Sequence, residues 1–315
     1  MKFYVGLTDT RWFDFLRQEP REDVNFWKPL GGTNFGAVPA GAPFLLKLRK
    51  PEHCIAGVGF FTNQIMLPVA TAWDMFGPRN GFRDYAEFAA AIQAYRKAAG
   101  KEYKPDPEIN CLVLTSPIFF RKPDWIPAPA DWRDPIVTGK VYGTDTTIGA
   151  QLWANVSATM MRYQQTPFLQ ELATDSLVLE SPAIYREALT KVRIGQGAFQ
   201  ALVTQAYGKK CAISGEKTLP VLEAAHIQPF SQAGPNVLPN GLLLRSDLHK
   251  LFDRHYLTID ADDHTIHVSS RIREEFQNGK EYYKFDKQPL AVLPHNVLDR
   301  PAQQYLQYHN GLFRP

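Results

Sequence analysis

Three cysteines in 315 residues, Cys54, Cys111 and Cys211, are too few and too far apart for a disulfide framework, and no Cys-x-x-Cys pair exists to staple a zinc ion. Long apolar runs are also missing. Nothing approaches the ~18–20 residues that cross a bilayer as a helix, so no membrane partner is expected. The first sixteen residues, MKFYVGLTDTRWFDFL, are interrupted by aspartates and an arginine and lack the layout of a signal peptide, which predicts a cytoplasmic protein. Charge of one sign is scarce, with a formal net of +3. Residues 191–315 hold 15 Lys+Arg against 12 Asp+Glu and residues 1–190 hold 20 against 20, so the whole excess lies in the C-terminal part. That asymmetry is compatible with phosphate contacts there. Repeats and low-complexity tracts are absent. What remains is an ordinary globular composition in a chain long enough for two separate cores.

The densest chemistry lies in one stretch, Cys211 to Asp260: CAISGEKTLPVLEAAHIQPFSQAGPNVLPNGLLLRSDLHKLFDRHYLTID. VLEAAHI ends a short apolar run in His226 and is closed by Pro229, which predicts a strand. SQAGPNVLPNG is punctuated by Gly, Pro and Asn and predicts a loop leading to a turn at Asn240–Gly241. GLLLRSDLHKLFD begins as a second strand and becomes a helix, with Ser246 or Asp247 expected to cap it. His249 and Asp253, four apart, share one helical face. Two imidazoles and a carboxamide therefore converge on a strand, loop, strand, helix unit.

Those residue types suit phosphodiester hydrolysis. The reaction needs a base to deprotonate water and a cation to neutralise charge on the phosphorane and the leaving oxygen. A neutral imidazole, titrating near pH ~6.5, can be that base. A helix histidine can hold a divalent ion, and an amide at the turn can fix the base-bearing strand. Through Cys211, AAHIxP, NGLLL and DLHxLFD, the stretch resembles the HNH nucleases of the ββα-metal fold. The resemblance implies His226 as general base, Asn240 as structural asparagine and His249 as metal-binding histidine. One departure is Ala225, where many HNH sequences carry a further ligand. The metal then has one direct protein ligand plus waters, or a second from Asp253 or Glu223. Such oxygen-rich coordination suits Mg²⁺ or Mn²⁺ better than zinc. Cys211 stands where the family often has a cysteine and is expected to be a packed thiol at a strand start.

Residues 1–155 have another texture, aromatic-rich with short apolar runs between Gly and Pro. FYVGLTD, PFLLKLRK, CIAGVGFFTN, INCLVLTSPIFF and IVTGKVYG read as strands of a small mixed or closed sheet. RWFDFLRQ and FRDYAEFAAAIQAYRKAAG read as helices, the second with Tyr85, Phe88, Ala89, Ile92 and Tyr95 on one buried face. VNFWKP, the Gly-rich loop at 31–36 and the I-x-G-x-G-aromatic strand together resemble the PUA superfamily, within it the EVE-like and YTH-like readers of modified bases. That resemblance implies a small barrel accepting a flipped base in an aromatic cage, with Trp27, Asn34, Phe60, Trp73, Trp125 and Trp132 as candidates. Trp125 and Trp132 lie in a Pro-rich segment, KPDWIPAPADWRDP, where an indole has less reason to be core.

The expected organisation is α+β: a PUA-like mixed β-barrel domain with helices over 1–155, a helical linker over 156–190 with a helix beginning at Ser181, and an HNH ββα-metal nuclease domain over 191–315. Arg193, Gln196, Lys209 and Lys210 are the candidates for DNA backbone contacts. In the tail, VSSRIREEF, YYKFDKQPL and LDRPAQQYLQYHNGLF read as strands and a closing helix, and His264, His267, His295 and His309 carry no chemistry. The combination resembles modification-dependent restriction endonucleases, implying a metal-dependent enzyme that cuts double-stranded DNA near a modified cytosine, 5-methyl or 5-hydroxymethyl, and that can act as a homodimer. Two alternatives stay open at this level: an RNA-directed HNH nuclease, and a non-catalytic reader of modified DNA.

Overall fold

The computed structural model describes residues 1–30, 34–133, 136, 138–163 and 194–315. The chain divides into two compact units, Met1–Ala198 and Phe199–Pro315. The helix expected from Ser181 and the candidate Arg193 lie outside the described residues. Among the described residues, no helix is long and apolar enough to cross a membrane.

The first unit is built on a seven-stranded mixed sheet. Strand β1 (Lys2–Thr8) is followed by α1 (Thr10–Leu16), whose first turn is capped by the Asp9 carboxylate accepting from the N–H groups of Arg11 and Trp12. Then come β2 (Asp23–Lys28), β3 (Pro43–Leu48), the long β4 (Cys54–Pro68), α2 (Val69–Phe76) and α3 (Tyr85–Ala98). After them run β5 (Glu108–Phe119), β6 (Ile126–Pro127), β7 (Gly139–Gly143) and α4 (Thr147–Tyr163). The strand order is β2-β5-β4-β3-β1-β7, with β6 added to β4. Only β1 and β3 run parallel among the paired strands of this sheet.

Period-2 alternation sends side chains to two cores, one on each face. Tyr4, Phe26, Phe44, Leu46, Leu112 and Leu114 pack with Trp12, Phe13 and Leu16 of α1. Phe3, Val5, Leu45, Ile55, Val58 and Phe60 pack with Leu152, Val156 and Met160 of α4. A sheet buried on both faces explains why these strands read as continuous apolar runs. Gly57 permits one close approach: a Cβ there would stand 2.6 Å from the Ile118 carbonyl oxygen, where β4 and β5 slip register.

The fold departs from the sequence expectations at several places. Helix α4 runs unbroken through residue 155 and buries Leu152, Val156 and Met160 in the first unit's core, so this unit extends past the sequence-based boundary. Tyr85 is exposed, and the buried face of α3 is Phe88 and Ile92. Asp23–Lys28 is a strand that the pattern did not announce, because its aromatic and polar residues alternate over only six positions.

The second unit contains the last part of α5 (Gln196–Ala206), then a turn at Cys211–Gly215, then the hairpin of β8 (Leu222–His226) and β9 (Gly241–Arg245). Helix α6 (Ser246–Asp253) leaves β9 directly. A second antiparallel pair, β10 (Leu257–Ile259) and β11 (Ile266–Val268), precedes α7 (Arg271–Phe276), α8 (Lys280–Tyr283) and α9 (Gln303–Asn310). Leu242, Leu243, Leu244, Leu248 and Phe252 are all fully buried. His309 stacks on Phe252 at 3.7 Å and donates from Nε2 to the Phe252 carbonyl, while its Nδ1 lies 2.8 Å from the Thr258 hydroxyl. Burial pushes its pKa down to about 4, so it packs as a neutral ring.

Candidate active site

The hairpin and α6 form a ββα unit with register His226↔Gly241 through Leu222↔Arg245. His226 ends β8 because the chain must turn there. Its ring stacks on Phe199 of α5, with centroids 4.0 Å apart and planes 11° from parallel. Its Nε2 lies 2.7 Å from Asn236 Oδ1. Burial pushes the His226 pKa below the ordinary histidine range. The Asn236 hydrogen bond and Asp253 oppose that shift, and His249 reinforces it. The imidazole is therefore neutral, with a free lone pair, at physiological pH. The same couplings put His249 and Asp253 close enough for their charges to reach His226.

Asn240 is fully buried between the two strands. Its Oδ1 accepts from the Gln228 N–H at 2.9 Å, and its Nδ2 donates to the carbonyls of Gln228 and Pro235, each at 3.0 Å. One carboxamide thus ties the residues just past His226 to the far end of the loop. It ends a 3₁₀ turn, Leu238–Asn240, and Gly241 already lies in extended strand geometry, in place of the Asn-Gly turn expected. The loop also needs Gly234, where any Cβ would run into the Gln228 carbonyl.

On α6, His249 is bracketed by carboxylates. Its Nδ1 lies 2.6 Å from Glu223 Oε2 on β8, and its Nε2 lies 3.3 Å from Asp253 Oδ2 one turn along the helix. Ser246 and Asp247 do not cap the helix. Ser246 Oγ donates to the Val221 carbonyl, and Asp247 takes the Arg245 guanidinium at 2.6 and 2.8 Å, because the strand-to-helix transition leaves no room for a separate cap residue. Ala225 is fully buried opposite Leu242 and offers no ligand atom.

Among the described residues, no three His, Cys, Asp or Glu side chains gather to hold an ion by themselves. His249 with one neighbouring carboxylate does fit a hard divalent ion that keeps several waters. Cys211 is buried as expected, but opens a turn rather than a strand. Its Sγ accepts from the N–H groups of Ser214 and Arg245 at 3.4 and 3.3 Å, bracing the β9–α6 junction.

Of the backbone-contact candidates, Gln196 is exposed at the first position of α5, and Lys209 and Lys210 are half-buried in the turn before Cys211. The six aromatic-cage candidates do not converge. Trp27 and Trp73 meet through Phe88, with centroids 5.9 and 6.0 Å from it, and Phe82 and Tyr95 complete a half-buried aromatic cluster. Phe60 and Trp132 belong to the core on the α4 side, Trp132 only 8% exposed. The Pro-rich segment folds back on the sheet, with Ile126–Pro127 pairing to Cys54–Ile55, which buries the loop tryptophans. Trp125 is partly buried, touches both cores and donates from its indole N–H to the Phe120 carbonyl. Asn34 is exposed beside Phe35, whose N–H goes to Gln64.

Sequence reasoning missed Asn236 and Phe199. Neither carries a local signal, since each reaches His226 only after the loop and α5 have folded.

A half-buried histidine at a strand end, a clamping asparagine and a carboxylate-flanked helix histidine thus share one ββα unit. Residues 211–260 match the family model for HNH endonucleases, so the chain carries an HNH endonuclease domain there. Among curated proteins none matches the chain. Similar solved structures include ASCH from Zymomonas mobilis, 11% identical, covering 48% of this chain and 94% of its own, with a TM-score of 0.32. They also include the modification-dependent restriction endonuclease TagI, 13% identical, covering 99% of this chain and 81% of its own, with a TM-score of 0.29.

Proposed function

We propose that the protein is a modification-dependent DNA endonuclease in which the second unit cuts the phosphodiester and the first unit selects a modified cytosine. The observation that carries the nuclease half is the pairing, inside the HNH segment, of a half-buried neutral His226 with the His249–Asp253 pair. His226 accepts the proton of the attacking water. Phe199 and Asn240 hold its ring plane and its strand. Glu223 accepts from His249 Nδ1–H and so leaves Nε2, beside Asp253, as the atom for a divalent ion. Bound there, Mg²⁺ or Mn²⁺ would neutralise charge on the scissile phosphate and the leaving oxygen.

The reader half rests on chemistry that the nuclease half lacks. Grip on phosphate and metal carries little base information, so selectivity needs a separate surface. The half-buried cluster of Trp27, Trp73, Phe82 and Tyr95 supplies aromatic faces, and the Trp73 indole N–H has no hydrogen-bond partner among the described residues. Extruding a base takes a few kcal/mol, which stacking on such faces can return.

The full chain, given Mg²⁺ or Mn²⁺, should cut plasmid from a cytosine-modifying host and spare plasmid from a non-modifying host. Equal cutting of both would leave a nuclease and remove modification reading. Cutting of RNA hairpins in preference to either plasmid would make RNA the substrate. Binding of modified DNA without any cutting would leave a reader whose nuclease half is inactive.

A further inference from the structure

We infer that Asn236 is a positioning residue that selects the tautomer of His226, holding the proton on Nε2 and leaving Nδ1 as the basic nitrogen. The inference rests on the nuclease reading above and adds the atom through which the base works. The contact is Asn236 Oδ1 to His226 Nε2 at 2.7 Å. An amide carbonyl oxygen only accepts, so the imidazole nitrogen facing it must carry hydrogen. In a neutral imidazole the other nitrogen then holds the lone pair. A base that presented its N–H to water would have nothing to accept the proton with.

The surroundings make the contact more than a chance approach. The Phe199 ring, stacked at 4.0 Å, fixes the plane of the imidazole but leaves both nitrogens equivalent with respect to it. Only a directional partner in that plane can distinguish them, and Asn236 is that partner. Asn236 is itself held from behind. The neighbouring Pro235 carbonyl accepts from Asn240 Nδ2 at 3.0 Å and from the Val237 N–H at 3.0 Å. The Gly234 N–H donates to the Pro229 carbonyl, and Gly234 presses on the Gln228 carbonyl too closely for any side chain. Asn240 therefore acts on the base by two routes. It clamps Gln228, two residues past His226, and it anchors the loop that brings Asn236 to Nε2. Ten residues separate His226 from Asn236 in the chain, and the clamp closes that same loop.

The test uses the full chain with ¹⁵N-labelled histidine, His226 being assigned by its disappearance in His226→Gln. Long-range ¹H–¹⁵N spectra above pH 7 should show His226 protonated at Nε2, and Asn236→Ala should shift it towards a mixture of tautomers. In cleavage assays at saturating metal, Asn236→Ala should lower kcat by roughly 10- to 100-fold, as for other groups that orient a working imidazole, with KM for DNA little changed. Asn236→Asp, which keeps an acceptor oxygen on Nε2, should recover most of the rate. A His226 ring protonated at Nδ1 in the wild-type protein would overturn the inference. So would an Asn236→Ala variant with unchanged tautomer and unchanged kcat. The spectra do not depend on cleavage, so a wild-type rate in His226→Gln would sink the nuclease reading while leaving the tautomer measurement to stand by itself.

Discussion

His226 illustrates how environment decides what a side chain does. Burial among Phe199 and the β8–β9 hairpin penalises the imidazolium, and His249 adds to that penalty, so the ring stays neutral where an exposed histidine would be partly charged. His226→Ala should therefore lower the cleavage rate by about 10²- to 10⁴-fold while leaving DNA affinity nearly intact, since the base acts in the transition state. Gel-shift titration beside single-turnover cleavage separates the two. The pH profile follows with its sign. The base works when unprotonated and its pKa is depressed, so activity is fully present above the ordinary histidine value and is lost only as pH falls below it. At saturating metal, the acid limb of the single-turnover rate should lie below pH ~6.5. A midpoint above that value would mean that another group limits the reaction.

The element that matters most is the β8–loop–β9 hairpin with α6 on its end. Asn240 gives three hydrogen bonds to backbone on both sides of the loop from a fully buried site. Removing it takes these partners from the Gln228 N–H and carbonyl and one of two from the Pro235 carbonyl, at about 1–3 kcal/mol for each group left unpaired where water cannot reach. Asn240→Ala should thus lower both Tm and cleavage rate, whereas a change confined to rate would make it a catalytic group rather than a clamp. On α6 the two carboxylates beside His249 have different expected effects. Asp253→Ala should weaken Mn²⁺ binding directly, read as a higher Mn²⁺ concentration for half-maximal cleavage. Glu223→Gln should act more mildly, because an amide oxygen still accepts from Nδ1–H. Equal effects of the two substitutions would make both carboxylates ligands.

At the scale of the whole molecule, a sheet covered on both faces commits most of its aromatics to cores and leaves few for a ligand. Trp132 and Phe60 are filled in among core side chains, and Trp125 spends its indole N–H on the Phe120 carbonyl. Trp73 keeps a half-exposed ring at the edge of the α2–α3 cluster. If that cluster receives the base, Trp73→Ala should reduce preference for modified over plain duplex by the worth of one stacked base, about 1–3 kcal/mol, while salt-sensitive binding to plain duplex persists. Unchanged discrimination in competition binding at several salt concentrations would move the reading surface elsewhere in the chain.

The nuclease half was legible because its chemistry is local. His226, Asn240 and His249 stand within 24 residues, and β8, β9 and α6 follow from apolar runs, a Pro-Asn-Gly loop and 3.6-residue spacing that need no distant partner. The first unit was legible only as texture. Its strands announced themselves, but which face of the sheet each aromatic joins depends on register across strands distant in sequence, such as β4 with β5. Packing of helices and loops onto that sheet buried Trp132, paired Trp27 with Trp73 through Phe88, and left Tyr85 exposed. Within the nuclease half the same division holds at finer grain. Residue types and spacing brought out the two histidines and the asparagine as candidates. Only the folded loop decided that Asn236 would meet Nε2 and Phe199 would meet the ring, because a hydrogen bond and a stacking contact exist only once separate segments share the same few ångströms.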